Sequence, residues 1–159
     1  MKSPIKRGNS TDIPLTYRTV DQILRDAAER LPANEALVVR HQNIRLTYAQ
    51  LDAEVDRIAR ALIALGLKPG ERLGIWSPNR VEWVLTQFAT ARAGVILVNI
   101  NPAYRTSELD HVLTKTGCRA LILATSFKSS DYIGMLQQLL TPPPRGCRHS
   151  PQPPSIPPP

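Results

Sequence analysis

Long apolar runs are missing from this sequence. None approaches the roughly 18 residues that a membrane-spanning helix needs, so a transmembrane protein is not expected. The basic opening Met1-Lys2-Ser3-Pro4-Ile5-Lys6-Arg7-Gly8 is not followed by an apolar stretch, which argues against a secretory signal. Cysteine is nearly absent. Cys118 and Cys147 are the only two, too few for a disulfide framework, and they are expected to be reduced thiols of a cytoplasmic protein. Aromatic residues make up 5% of the chain, too few to interleave with basic residues as a base-stacking groove requires. The formal charge of +7 does not change that reading. Residues 17–140 carry 15 Lys+Arg and 12 Asp+Glu, which is +3; residues 1–16 carry three and one, which is +2; residues 141–159 add two arginines, which is +2. The excess sits at the two ends, the middle is well mixed, and nucleic acid is not an expected partner.

Motifs that cradle phosphate are missing too. There is no Gly-x-Gly-x-x-Gly and no Gly-x-x-x-x-Gly-Lys-[Ser/Thr]. The eight glycines are scattered one per element end, as turn and cap residues are. His41, His111 and His149 share no ligand spacing with the cysteines, so no metal site is assigned. Ser77 lacks the Gly-x-Ser-x-Gly elbow of a nucleophilic serine and reads as a strand-end or cap residue. Glu108, Asp110 and His111 suggest acid–base work at first sight. Adjacent helix positions point in different directions, so they read as a solvated helix surface.

What is present is a regular alternation of helix and strand signals. Thr19 and Gln22 have capping-box spacing, and Val20, Ile23, Leu24, Ala27, Ala28 and Leu31 trace one helical face before Pro32 stops it. The runs Ala36–Val39 and Ile44–Leu46 flank His41-Gln42-Asn43 and predict a β-hairpin. Thr47 and Gln50 repeat the capping box. Leu51, Val55, Ile58, Leu62 and Leu65 form the next stripe, and Gly66 supplies its stop. After the turn Leu67-Lys68-Pro69-Gly70 comes a short buried strand, Leu73–Trp76. Asn79 and Glu82 predict the start of a third helix carrying Val81, Val84, Leu85, Phe88 and Ala91, which ends at Gly94. Val95–Val98 reads as a strand covered on both faces. A fourth helix is predicted from Thr106 or Ser107 to Gly117, with Leu109, Val112 and Leu113 inward. The strand Ala120–Ala124 follows, then a fifth helix opening at Ser130 and Asp131 with Ile133, Leu136 and Leu140. Helices between apolar strands imply parallel pairing with right-handed crossovers. The fold class is α/β: a partial doubly wound, mainly parallel sheet with flanking helices and an early β-hairpin. Asn99, Asn101 and Pro102 follow the end of a strand, where open α/β sheets bind ligands. They are the best local site candidate, although turn-shaping is the preferred reading.

Three blocks resemble those of one family. Thr47-Tyr48-Ala49-Gln50-Leu51 is similar to the Thr-Tyr-x-Glu/Gln-Leu element near the start of adenylate-forming synthetases. Gly66 to Asn79 resembles their Gly-Leu-x-x-Gly-Asp-Arg-Val block. Ala91 to Arg105, with Asn101-Pro102-Ala103-Tyr104 followed by Ser107-Glu108-Leu109, resembles the next block in the form used by the fatty-acid-activating branch. In this order the blocks identify residues 17–140 as part of the N-terminal adenylation domain of an AMP-forming acyl-CoA synthetase. The resemblance implies that the full-length family activates a fatty acid with ATP and Mg2+ to an acyl-adenylate and transfers it to CoA. The family's phosphate loop, magnesium-coordinating segments and catalytic lysine have no matching position here. No catalytic, cofactor-binding or metal-binding residue is therefore assigned, and the chain alone is expected to be inactive. A non-catalytic module that associates with a full-length homologue is the alternative. Trp76 and Trp83 could form an aromatic wall of an acyl pocket; helix-on-sheet packing is preferred.

The ends are read separately. Residues 1–16 are expected to be a flexible arm. Nine of the fifteen prolines fall between Thr141 and Pro159, where periodicity stops, so residues 141–159 are expected to be a disordered tail. A ligand for a proline-binding domain is one reading of that tail; an out-of-frame segment is the preferred one.

Overall fold

The computed structural model describes residues 17–141. The expectations for the arm of residues 1–16 and for the segment from residue 142 onward, Cys147 and His149 included, lie outside the described residues. The described chain divides into two compact units, one of residues 17–71 with Asn79–Leu97 and one of Arg72–Pro78 with residues 98–141.

The first unit is three helices and a hairpin. Helix α1 (Val20–Arg30) and helix α2 (Tyr48–Ala64) open on the two predicted capping boxes. The Gln22 amide donates to Thr19 Oγ1 at 3.2 Å and the Thr19 amide to Gln22 Oε1 at 2.9 Å; Thr47 and Gln50 repeat the exchange. Each box satisfies two N–H groups that a helix start leaves without partners. Strands β1 (Glu35–Val39) and β2 (Ile44–Thr47) pair antiparallel between these helices. Asn43 takes a left-handed φ of 53° at the turn, a conformation that asparagine tolerates better than most residues. The buried side of α2 is Leu51, Val55, Ala59 and Leu62, each large aliphatic side chain contributing about 1.5–3 kcal/mol by leaving water. Two expectations need correction. Leu65 is exposed because it caps the helix rather than continuing its stripe. On α1 only Leu24 is buried, while Val20, Ile23 and Leu31 stay exposed.

Helix α3 (Val81–Ala93) begins one residue later than a cap at Asn79 requires. Its N-cap is Arg80, with no side-chain cap of its own. The cap comes from the hairpin turn. The Val81 amide donates to Gln42 Oε1 at 2.7 Å, and Gln42 Nε2 donates to both Glu82 carboxylate oxygens at 3.3 and 3.0 Å. A helix start is thus satisfied by a residue 39 positions away. Gln42→Ala is expected to lower the unfolding free energy by about 1 kcal/mol, the usual value of a lost cap, measured as a shift of the urea midpoint at unchanged m-value. Arg80 grips the same carboxylate through Nε and Nη2 at 3.1 and 3.2 Å. The buried face of α3 includes Thr86 and Thr90, which sequence periodicity did not place there. Their hydroxyls donate to the carbonyls of Glu82 and Thr86, respectively, at 2.6 and 2.9 Å, so neither is buried without a partner.

Glu82 carries a pH consequence. The hydrogen bonds from Arg80, reinforced by its own amide and Gln42 and opposed by partial burial, lower its pKa from 4.5 to about 2. A depressed folded-state pKa stabilises above the unfolded value and is lost as pH falls through the folded one. Unfolding free energy is therefore expected to decline between pH 4.5 and 2, and Glu82→Gln to flatten that decline. The carboxylate is half exposed, which keeps the effect below about 1 kcal/mol. Thermal melts of both proteins at stepped pH read it directly.

A charge cluster joins the three helices of this unit. Arg92 of α3, with its side chain only 6% exposed, donates through Nε to Asp21 of α1 at 2.6 Å and through Nη1 to the Asp52 carbonyl of α2 at 3.0 Å. Nη2 also donates to the Asp52 carboxylate. Burial works against the Arg92 charge, but the hydrogen bonds to Asp52 and Asp21 outweigh it and its pKa is raised.

The second unit is built on a three-stranded sheet. Strands β3 (Arg72–Trp76), β4 (Ile96–Ile100) and β5 (Ala120–Leu123) lie in the order β4-β3-β5, and β4 begins in the stretch that belongs to the first unit. β3 runs parallel to β5, Leu73 opposite Ala120 and Trp76 opposite Leu123. The expected α/β class with a parallel sheet and an early hairpin is what forms. The central strand is β3, with Leu73 to Trp76 all buried. A Cβ on Gly74 would stand 3.0 Å from Leu121 Cδ1 and 3.2 Å from Ile100 Cδ1, so the absence of a side chain lets these neighbours close in. β4 was expected to be covered on both faces. It is an edge strand with Ile96 and Asn99 exposed, which fits its Asn99 better than a buried place would.

Helix α4 (Thr106–Thr116) buries Leu109 and ends at Gly117, φ 61°. Short strands β6 (Ser126–Phe127) and β7 (Ser130–Asp131) form a tight hairpin. Helix α5 (Tyr132–Leu140) starts on Asp131, whose Oδ1 accepts from the Gly134 amide at 3.1 Å. The predicted cap is right and the predicted face is rotated. Tyr132 and Met135 are buried, while Ile133 and Leu140 are exposed.

Candidate functional site

The strand order decides where a site belongs in this sheet. From β3 the chain goes to β4 on one side and then to β5 on the other. In open α/β sheets ligands bind beyond the carboxyl ends of the strands, where the winding reverses. Here that place is the carboxyl end of β3 and β5. It begins with Trp76, the last residue of β3, and the Ala124 amide continues the pairing by donating to the Trp76 carbonyl at 3.2 Å.

A stacked aromatic pair fills this position. Trp76 and Tyr132 are both 0% exposed, with ring centroids 3.6 Å apart and planes within 10°. Ile100, Leu109 and Met135 complete the buried cluster. Aromatic residues with a polar atom are buried only when that atom finds a partner, and both do. Trp76 Nε1 donates to the Asn101 carbonyl at 3.1 Å, and the Tyr132 hydroxyl donates to the Pro102 carbonyl at 2.5 Å. Burial pushes the Tyr132 phenol above its ordinary pKa. Trp76 is therefore buried within its own unit, and Trp83 lies half-buried on α3 in the other unit.

The Asn101–Pro102 loop is shaped as a turn. Asn101 Oδ1 accepts from the Ala103 amide at 2.9 Å, and the Asn101 carbonyl accepts from the Tyr104 amide at 3.0 Å as well as from Trp76. Asn99 and Asn101 are exposed at the end of β4. Ser77 sits buried at the strand end with its hydroxyl donating to the Pro78 carbonyl at 3.0 Å. Glu108, Asp110 and His111 are exposed on α4. Glu108 is occupied in the cap, accepting from the Arg105 amide and the Ser107 hydroxyl, both at 3.1 Å; hydrogen bonds from its own and the Arg105 amide hold its pKa below the usual carboxylate range. His41 is exposed in the hairpin turn, and Cys118 is half-buried beside the Thr116 hydroxyl at 3.2 Å. Among the described residues no group of three or more His, Cys, Asp or Glu is placed to hold a metal ion, and no helix is long and apolar enough to cross a membrane.

Tyr132 is the residue that sequence reasoning missed. It stands just after the Asp131 cap, outside the stripe that periodicity picked out. The signal available was its type and place: an amphipathic aromatic at a helix start next to a strand's carboxyl end.

Known proteins are similar to this chain in sequence and in fold. The sequence profile of the AMP-binding enzyme family matches residues 24–151, past Leu140 into the proline-rich segment. The chain is 50% identical over 129 residues to the mitochondrial medium-chain acyl-CoA ligase ACSF2 of Rattus norvegicus, covering 81% of this chain and 21% of that protein. It is 51% identical over 125 residues to the Homo sapiens counterpart, covering 79% and 20%. This chain thus spans about a fifth of the length of the curated relatives it matches. The inhibitor-bound N-terminal domain of FACL13 from Mycobacterium tuberculosis has the same fold with a TM-score of 0.72 at 26% identity, over 80% of this chain and 31% of that one. A fatty acyl CoA synthetase of the same organism matches with a TM-score of 0.72 at 26% identity, over 79% and 24%. The ordered blocks, the β4-β3-β5 sheet and these relatives converge: the chain belongs to the AMP-binding enzyme family, as a segment similar to the N-terminal region of its acyl-CoA synthetases.

Proposed function

We propose that residues 17–140 are scaffold of an AMP-forming acyl-CoA synthetase, and that residues 1–159 by themselves do not adenylate. The full-length activity is activation of a fatty acid with ATP and Mg2+ followed by transfer to CoA. Adenylation needs charge neutralisation and in-line placement of phosphates. The observation that carries the reading is the stack at the sheet's switch point, where both aromatic polar atoms are bound to backbone carbonyls. A carboxyl edge built this way supports a wall rather than a phosphate cradle. The chain incubated with ATP, Mg2+, a medium-chain fatty acid and CoA is expected to release no pyrophosphate above the blank. Pyrophosphate release that requires both ATP and the acid would overturn the proposal.

Association with a complete synthetase is the other reading, and exposed Val20, Ile23 and Leu31 along α1 favour it. Co-purification of tagged chain with a full-length synthetase distinguishes the two. Cytoplasmic residence belongs to the same proposal. The named ACSF2 relatives are mitochondrial, and fractionation of expressing cells decides between the compartments.

A further inference from the structure

The Trp76–Tyr132 pair touches the Asn101–Pro102 turn in a way that packing alone does not require. Two different side chains donate to two successive carbonyls of one turn, Trp76 Nε1 to Asn101 and Tyr132 Oη to Pro102. They arrive from two elements, the end of β3 and the start of α5, and the rings stack on each other. Fixing one donor therefore helps to fix the other. The turn closes itself as well, with the Ala103 and Tyr104 amides donating to Asn101 Oδ1 and to the Asn101 carbonyl. This arrangement uses Asn101 Oδ1 as an acceptor, and the residue is exposed. Backbone held this way loses little entropy when a ligand meets it, and groups supported by a rigid layer behind them are placed more accurately than loops standing alone.

We propose that Trp76 and Tyr132 are positioning residues: a two-donor clamp that holds the Asn101–Pro102 turn, and with it the Asn101 side-chain amide, in one conformation at the ligand edge of the sheet. The assignment of that edge rests on the proposed synthetase reading; the clamp itself rests on the geometry. The ligand group suited to a lone amide N–H2 is a hydrogen-bond acceptor, such as a carbonyl, hydroxyl or carboxylate oxygen of the bound molecule.

The test is native-state amide exchange on the 159-residue chain and on Tyr132→Phe, which keeps the stacked ring and removes the hydroxyl donor. The Ala103 and Tyr104 amides report the turn, and the Leu73 and Ile75 amides report global opening. The expected result is that Ala103 and Tyr104 exchange about tenfold faster than in the parent chain, the factor that follows from losing roughly 1.4 kcal/mol of hydrogen bonding that opening of the turn must break. Trp76→Phe, which keeps an aromatic ring and removes the other donor, is expected to act in the same direction. No change at the turn in either variant, whether or not the strand amides accelerate, would show that the turn opens without breaking these bonds and overturn the clamp. Neither outcome depends on catalysis, so failure here leaves the synthetase reading standing, and pyrophosphate release by the chain alone would leave the clamp standing.

Discussion

Trp76→Ala is expected to lower the unfolding free energy by about 4 kcal/mol, the range observed when a buried large aromatic is truncated. The side chain is fully buried against Ile100, Leu109, Tyr132 and Met135, so little of the space it leaves can be refilled without moving β4, α4 or α5. Two losses add to the transfer term. The stacked pair disappears, worth about 1 kcal/mol beyond its area, and the Asn101 carbonyl keeps only its bond from the Tyr104 amide. Trp76→Phe retains a ring over Tyr132 and is expected to cost about half as much. Urea unfolding followed by far-UV circular dichroism measures both. A loss below about 1 kcal/mol for the alanine variant would mean that Trp76 is not the centre of this unit's core.

Arg92→Leu is the second large effect, about 3 kcal/mol of lost stability. Breaking a buried charge cluster by removing one partner costs about 3–5 kcal/mol, because the remaining charges stay desolvated and unpaired. Asp21 and Asp52 are partly open to solvent, at 14% and 32%, which places the value at the lower end. Removing Arg92 also leaves the Asp52 carbonyl without that donor. The triple variant Arg92→Leu, Asp21→Asn, Asp52→Asn is expected to recover part of the loss, since neither Asp21 nor Asp52 is then left charged without Arg92, while Arg25 loses its pair with Asp21 and Asp56 keeps its charge. The coupling between sites is read as the departure from additivity in a cycle of the single and combined variants. If the arginine variant alone were neutral, the cluster would be a surface arrangement with no share in holding α1, α2 and α3 together.

Local signals in the sequence were reliable where the physics is local. Thr19 with Gln22 and Thr47 with Gln50 are capping boxes because each exchange spans three residues. Gly66, Gly94 and Gly117 take left-handed φ after helices because only the residue type and its neighbours matter there. The strands β3 and β5 were legible from their apolar runs. Several of the failures depended on partners distant in sequence. The start of α3 was placed at Asn79 because Gln42 leaves no mark near position 81. The stripe on α5 was read as Ile133, Leu136 and Leu140. Yet Tyr132 and Met135 are the buried residues, because the Trp76 ring and the turn carbonyls select them. Thr86 and Thr90 are buried although polar, since bonds to the preceding helical turn satisfy their hydroxyls. The loop Asn99–Pro102 is shaped as a turn, the reading its sequence favoured, while its anchoring by Trp76 and Tyr132 depends on elements far apart in the chain.

Gln42 has a consequence for how this chain is made. Domains form progressively as the N-terminal residues leave the ribosome, at roughly 5–20 residues per second. The hairpin that carries Gln42 is translated 39 residues before Val81, a lead of several seconds at that pace. A two-stranded hairpin needs only about 1–10 μs to form. The acceptor for the first amide of α3 is therefore waiting when that helix emerges. A helix without a capping side chain of its own can begin at Val81 because earlier-made chain has already prepared its first turn.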